Sequence, residues 1–318
     1  MQRLRARKLY LKALVFVLVV PMSSAASRDL KLIALVPPGA QVVAGISASP
    51  QQGQPDNFVL ITHDNIVDLQ DLFALSGADG SRIFQHVVFV AIANSAGLLS
   101  EHSLLVSGHF DQPHIYKSAV EGGATVTYYR GIEVLEIQPF KREQRAFSDV
   151  RWLAVLDSNV LVFGTVATLR RELDRYADRS PADSPLLNRL AHLRGKDQTW
   201  CLLSAPIRND EIRGLLATLD PKLANIAQSG GSLELGIHLG KRVEFEYEVT
   251  LDSPVHGRDI SQTFARSPAS SEGRASLLPA LNIIGDDDAV RGVVEVSMPR
   301  YRAWLAEVRR YGERCLLH

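Results

Sequence analysis

The sequence predicts an α+β protein of antiparallel sheets with short helices packed on one face, arranged as two related halves behind an export signal. Three observations carry this. Apolar runs of strand length are joined by two- or three-residue turn signals, Arg130-Gly131, Asp157-Ser158-Asn159 and Gly240-Lys241, which make hairpins rather than long parallel crossovers. Segments of helical period follow several of these strands and open on Asp, Thr or Pro. A single beat recurs in "SLLVSGHFDQPHIYKSAV" and "GVVEVSMPRYRAWLAEV": strand, a few polar residues, proline, helix. Proline suits a helical first turn because its missing N–H costs nothing there.

The N-terminus comes first in the chain and is the most specific signal in it. "MQRLRARKLYLK" is basic, "ALVFVLVVPM" is a ten-residue apolar core, and "SSAAS" supplies small residues with Ser24 and Ala26 at −3 and −1 for cleavage after Ala26. Ten residues of helix span about 15 Å, roughly half a hydrocarbon core. Residues 1–26 are therefore expected to be a signal peptide, with an uncleaved anchor as the competing reading. No cysteine follows the apolar run, so a lipoprotein signature is missing, and no later segment has the length and apolarity for an integral span. The expected localisation is periplasmic or secreted.

Past the signal, Pro37-Pro38-Gly39 separates a short apolar run from a strand over 41–47. "NFVLIT" reads as a strand and "DNIVDLQDLFALSG" as a helix stopped by Gly77. "RIFQHVVFVAIA" is apolar enough to be a strand buried on both faces. "SLLVSGHF" is a strand, "DQPHIYKSAVEGG" a short helix and "ATVTYYRGIEVLEI" a hairpin. "RWLAVLDSNVLVFG" is a second hairpin that leads into the helix "TVATLRRELDRYA". After "DRSPADSP" come the helical "LLNRLAHLRG", the strand "TWCLLSAP" and a helical "DEIRGLLATLDPKLANIA". "QSGGS" marks the boundary between a first domain, 27–228, and a smaller unit, 229–318. In the latter, "LELGIHLG" and "RVEFEYEVTLD" alternate as an antiparallel sheet with one wet face. The helix "GRDISQTFAR", the segment "ASLLPALNIIGDDDAV", the strand "GVVEVSM" and the helix "PRYRAWLAEVRRYG" complete it.

Charge narrows the function classes. The 318 residues hold 35 basic and 35 acidic side chains, but five of the basic ones (Arg3, Arg5, Arg7, Lys8, Lys12) lie in the signal, leaving 30 against 35, about −5. A mildly acidic body has no electrostatic footprint for nucleic acid. Hydrophobic content of 46% with 22% charged residues is that of a globular chain able to build a real core. Cys201 and Cys315 allow one disulfide after export, or two isolated thiols, and their spacing does not suggest zinc.

Candidate chemistry is sparse. "VLVFGTVATLRRELDRY" has the outline of a phosphate-binding turn, yet holds only Gly164 of the three glycines a dinucleotide fingerprint needs, and the chain has no GKS or GKT. Thr165 is expected to cap the helix, with Val166, Leu169 and Leu173 as its buried stripe. "GISAS" lacks the second glycine of a nucleophile elbow, which leaves Ser47 a strand residue. His109, Asp111 and His114 form the most ligand-like cluster, with a capped strand-to-helix junction as the bland alternative. His63-Asp64 reads as a helix entry. Asp286, Asp287 and Asp288 offer hard oxygen donors without EF-hand spacing. Glu244, Glu246 and Glu248 share one strand face, expected to be solvated, with binding of cations or a basic partner as the alternative. Arg300, Arg302, Arg309 and Arg310 stand opposite Tyr301, Trp304, Leu305 and Val308, and packing on the protein's own sheet is favoured over a membrane surface.

The order "ALVPPGAQVVAGI", "SGHFD…IYKSAVEGG…YRGIEVLEI", "AVLDSNVLVFGTVATLRRELDRY" resembles a group of uncharacterised exported bacterial proteins over about residues 35–205. Asp157 through Gly164 is the element that matches their D-x-x-x-L-V-x-G hairpin. The resemblance implies an exported α+β domain and supplies no catalytic residues. No catalytic, cofactor-binding or metal residues are assigned from the sequence, and no cofactor is expected. The expected function is an exported, non-enzymatic binding or envelope-associated protein with an unidentified protein or envelope partner. The alternative is a divergent extracytoplasmic hydrolase centred on His109, Asp111 and His114.

Overall fold

A computed structural model describes residues 15–17, 29–47, 59–62, 65–68, 84–93, 101–138, 141–142, 145–146, 150–193, 199–204, 232–250, 283–285, 289–304 and 306. Twelve strands among them build one antiparallel sheet. In chain order they are β1 (Val42–Ser47), β2 (Phe84–Ile92), β3 (Glu101–Gly108), β4 (Thr125–Tyr129), β5 (Ile132–Ile137), β6 (Arg151–Asp157) and β7 (Val160–Thr165). Then follow β8 (Thr199–Ser204), β9 (Ser232–Leu239), β10 (Val243–Thr250), β11 (Ile283–Gly285) and β12 (Ala289–Val296). Their spatial order is β11-β12-β10-β9-β8-β1-β2-β3-β7-β6-β5-β4, so the molecule is α+β, as its hairpin signals predict. β8 pairs along six residues with β9 and along five with β1. One hydrogen-bonded sheet therefore runs across residue 228. Outside it, Val15–Val17, Val59–Thr62 and Asn65–Asp68 form a small antiparallel sheet, and Lys141–Arg142 pairs with Arg145–Ala146.

Local chemistry explains the corners. Arg130 and Gly131 both take positive φ, 50° and 79°, the primed turn that matches strand twist in the β4–β5 hairpin. Four helices are delimited in the same way. Helix α1 (Leu30–Leu35) opens on Asp29, whose carboxylate accepts from Lys31 N at 2.9 Å. Helix α2 (Gln112–Glu121) opens on Asp111 and carries Pro113 in its first turn. Helix α3 (Val166–Ala177) follows Thr165, and α4 (Ser184–His192) opens on Asp183.

Trp200, Leu202, Val43, Val88, Val90, Leu105, Val162 and Ala154 project from one sheet face into a core closed by Leu32 and Ile33 of α1, Leu169 and Leu173 of α3, and Leu186 and Leu190 of α4. The Trp200 indole lies flat on Gly45 of the neighbouring strand, where a Cβ would overlap the ring. The helices are not confined to this face. A helix beginning at residue 298 sets Tyr301 and Trp304 against Phe245, with ring centroids 5.9 and 6.0 Å apart. Phe245 belongs to the opposite face from Glu244 and Glu246. The physical reason is that the sheet is apolar on both sides, as buried Phe89, Leu104, Phe163, Leu233 and Tyr247 show, and each side needs a cover. Asn65–Asp68 is a strand rather than the start of a helix. Its β-branched pair Ile66-Val67 and the neighbouring strand Val59–Thr62 outweigh the helical period.

Candidate functional site

Helix α4 is anchored by Leu186 and Leu190, which enter the core. That orientation turns Arg189 and His192, three residues apart and so on one side, toward β9 and β10. Both basic side chains sit in the last turn of the helix, where the macrodipole favours positive charge. Register supplies what they meet: Leu202, Glu234, Glu248 and Arg291 lie in one lateral row across β8, β9, β10 and β12. Carboxylates opposite one another on neighbouring strands repel, and here Glu234 is 1% exposed and Glu248 8%. Cations resolve the conflict.

Arg189 donates through Nε to Glu234 Oε1 at 3.0 Å, through Nη1 to Ser204 Oγ at 2.7 Å, and through Nη2 to the Leu203 and Leu233 carbonyls at 2.9 and 3.2 Å. Arg291 Nη2 donates to Glu248 Oε1 at 2.9 Å. Each carboxylate thus spends Oε1 on an arginine and turns Oε2 toward the imidazole. His192 Nδ1 lies 3.1 Å from Glu234 Oε2 and 3.6 Å from Glu248 Oε2. The three ligand-type atoms all fall within 4.8 Å of one another. They adjoin a cleft of about 480 Å³ lined by His192, Leu193, Glu246, Glu248, Arg291 and Val293, among others. Chemically this set can bind a cation, exchange a proton, or hold a polar group that enters the cleft.

The strand expected to be solvated at Glu244, Glu246 and Glu248 therefore contains a buried acid. Helix α4 covers that end of the row, and Arg291 and His192 face the acid it buries. The other candidates among the described residues make local contacts. Asp111 accepts from His114 N at 3.2 Å as the cap of α2, and exposed His109 Nδ1 lies 3.2 Å from Asn159 Oδ1 across the adjoining turn. Ser47 ends β1 opposite His86, whose Nδ1 lies 3.2 Å from Ser107 Oγ. Tyr301 and Trp304 are buried, while Arg302 is exposed. Among the described residues Cys201, in β8, has no disulfide partner, and burial pushes its pKa up to about 12. His63, Asp64, Asp286, Asp287, Asp288, Arg309, Arg310 and Cys315 lie outside the described residues.

Around Gly164 the structure shows why a strand bends there. A Cβ on Gly164 would overlap the His102 carbonyl and the Ser103 backbone, so β3 approaches β7 closely at the Gly164–Ser103 pair. Thr165 holds the N-cap position of α3, but its hydroxyl makes no capping bond. It accepts from His102 N at 3.3 Å and meets Thr168 Oγ1 at 2.9 Å. The close approach brings the strand nearer than the helix's free N–H groups, and the hydroxyl bonds to it. The buried stripe of α3 is Thr168, Leu169, Glu172 and Leu173. Glu172 is a second buried acid that the sequence reading does not single out: Ser103 Oγ donates to its Oε1, and desolvation pushes its pKa from 4.5 up to about 8.

The fold and site define an α+β protein with one large twelve-stranded antiparallel sheet and a polar cluster where α4 crosses its C-terminal strands. No protein-family model matches the chain, and no curated protein matches it. Among solved structures it is similar to one described as crystal form I of TP0453, at 14% identity with a TM-score of 0.42, covering 89% of this chain and 99% of that one. No helix of the described residues is long and apolar enough to cross a membrane.

Proposed function

We propose that this chain is an exported, non-enzymatic binding protein of the cell envelope, akin to the uncharacterised exported bacterial proteins it resembles, and that its ligand enters the cleft beside His192. The observation that carries the reading is the convergence of His192, Glu234 and Glu248 on one concave site, with both carboxylates oriented by arginines. Binding sites typically pair a preformed cleft with a few fixed polar groups. The basic and apolar N-terminus supports export to the periplasm or medium, with an envelope component or exported protein as partner. Two related halves belong to the same reading: the strand–proline–helix beat occurs at β3–α2 and again at β12 and the helix after it.

The test is native mass spectrometry of the full chain produced in an exporting bacterial host. The expected result is a mature N-terminus near Ser27 and a retained ligand mass that is lost in Val293→Arg, which sets a long cation into the cleft. An intact Met1 terminus on cytoplasmic protein refutes export. The same retained ligand mass in wild type and Val293→Arg refutes the cleft as the ligand site. A hydrolase is the second reading, favoured by the imidazole facing two carboxylates at His192 rather than by the His109 region. Turnover of an ester, peptide or phosphate substrate that disappears in His192→Ala would replace binding with catalysis.

A further inference from the structure

We propose that His192 Nδ1, Glu234 Oε2 and Glu248 Oε2 form a binding site for a divalent transition-metal ion at the wall of the cleft, with its remaining coordination positions facing the opening. The inference rests on reading the cleft as the ligand site and names the ligand's chemical class.

The spacing of the donors comes first. Ligands about 2.0–2.2 Å from a tetrahedral zinc ion stand roughly 3.4 Å from each other. The two distances from His192 Nδ1 to the carboxylates, 3.1 and 3.6 Å, bracket that separation. A hydrogen bond accounts for the shorter contact alone. Nδ1 carries at most one proton, and 3.6 Å is beyond hydrogen-bond reach. An ion equidistant from all three atoms satisfies both contacts at once.

Orientation is the second support. Metal-ligating carboxylates are held by hydrogen bonds from their outer side, and those partners fix which oxygen faces the ion. Glu234 is held this way by Arg189, whose four donated bonds leave it no freedom to swing. Glu248 is held by Arg291. The result is two oxygens and one nitrogen presented together, a donor set suited to zinc, manganese or iron and short of the six to eight oxygens that calcium takes.

Electrostatics agrees with this. Adjacent Glu234 and Glu248 oppose folding by their mutual repulsion, and Glu246 adds a third acid on the same strand face at the cleft. A dication on the inner oxygens stabilises what the two outer arginines only partly offset. His192 is 47% exposed at its side chain, so an ion has a route in from solvent.

The experiment is calorimetric titration of ZnCl2 into untagged full-length protein, freed of metal with a chelator and dialysed at about pH 7.5. The expected result is saturable 1:1 binding and a raised melting temperature. His192→Ala and Glu248→Gln should each weaken binding at least about tenfold. Both variants keep the fold within reach, since His192 is half-exposed and Gln preserves the shape of Glu248, and circular dichroism checks them. Co2+ gives a second readout, visible absorption in wild type that is absent from His192→Ala. No saturable zinc binding up to about 1 mM, or unchanged affinity in both variants, overturns the metal site. If zinc fails while wild type still retains an organic mass that Val293→Arg loses, the metal assignment falls and the cleft reading stands. If both signals are missing, both fall.

Discussion

Replacing Glu172 with glutamine should turn a pH-dependent instability into a pH-independent one. Glu172 is fully buried on α3. Ser103 donates to one of its oxygens, and the other has no hydrogen-bond partner among the described residues. Desolvation raises its pKa from 4.5 to about 8, so near neutrality the folded protein holds the acid while the unfolded chain holds the carboxylate. The sign follows from linkage. A raised folded-state pKa gives stability that is complete below pH 4.5 and lost as pH rises toward 8. At about 1.4 kcal/mol per pH unit the loss reaches roughly 3 kcal/mol by pH 7 and close to 5 kcal/mol at its end, a large share of the 5–15 kcal/mol typical of a domain.

Glutamine keeps an acceptor for Ser103 in the same volume but buries two amide protons, at a cost of about 1–3 kcal/mol that does not vary with pH. Urea unfolding of wild type and Glu172→Gln at pH 5, 6, 7 and 8 isolates the titration, because every other group cancels in the difference. The variant should gain about 3–4 kcal/mol on wild type between pH 5 and 8, starting less stable and finishing more stable. A difference that stays flat across that range would refute the buried neutral acid.

Two further substitutions probe the scaffold. Gly164→Ala should destabilise by at least about 2 kcal/mol in the same urea assay, because its methyl lands on the backbone of β3, which cannot step aside without breaking the β3–β7 ladder. Asp111→Ala should lose about 1 kcal/mol as the α2 cap, while His114→Ala, whose backbone alone meets Asp111, should stay within about 0.5 kcal/mol. Loss of a hydrolytic activity in His114→Ala without loss of stability would restore catalysis to that region.

The elements were legible wherever their cause is local. Arg130-Gly131 marks a turn because glycine and a short loop permit positive φ. Asp111 marks a helix start because its carboxylate can reach its own helix's N–H groups, whereas Asp183 reads as linker and proves to cap α4 only in the fold. The alternation in "RVEFEYEVT" determines which residues share a face, and Glu244, Glu246 and Glu248 do share one. What that face meets is not local. Glu234 stands in an apolar strand whose acid signals something, but its basic partners come from a helix over forty residues earlier, and its neighbour Glu248 takes its own arginine, Arg291, from a strand over forty residues further on. Sequence spacing carries no trace of that meeting.

By itself, then, the sequence determined the antiparallel α+β character, the hairpins and the Asp111 cap. Backbone dihedrals, capping and period-two burial act over a few residues. Only the tertiary structure decided that both sheet faces take helices, that Glu172 goes into the core, and that Arg189, His192, Glu234, Glu248 and Arg291 become one cluster. Those outcomes depend on strand register and on where α4 crosses the sheet. A shift of one residue in the register of β9 would send Glu234 to the opposite face, and a different crossing of α4 would take Arg189 and His192 away from it; either dissolves the site.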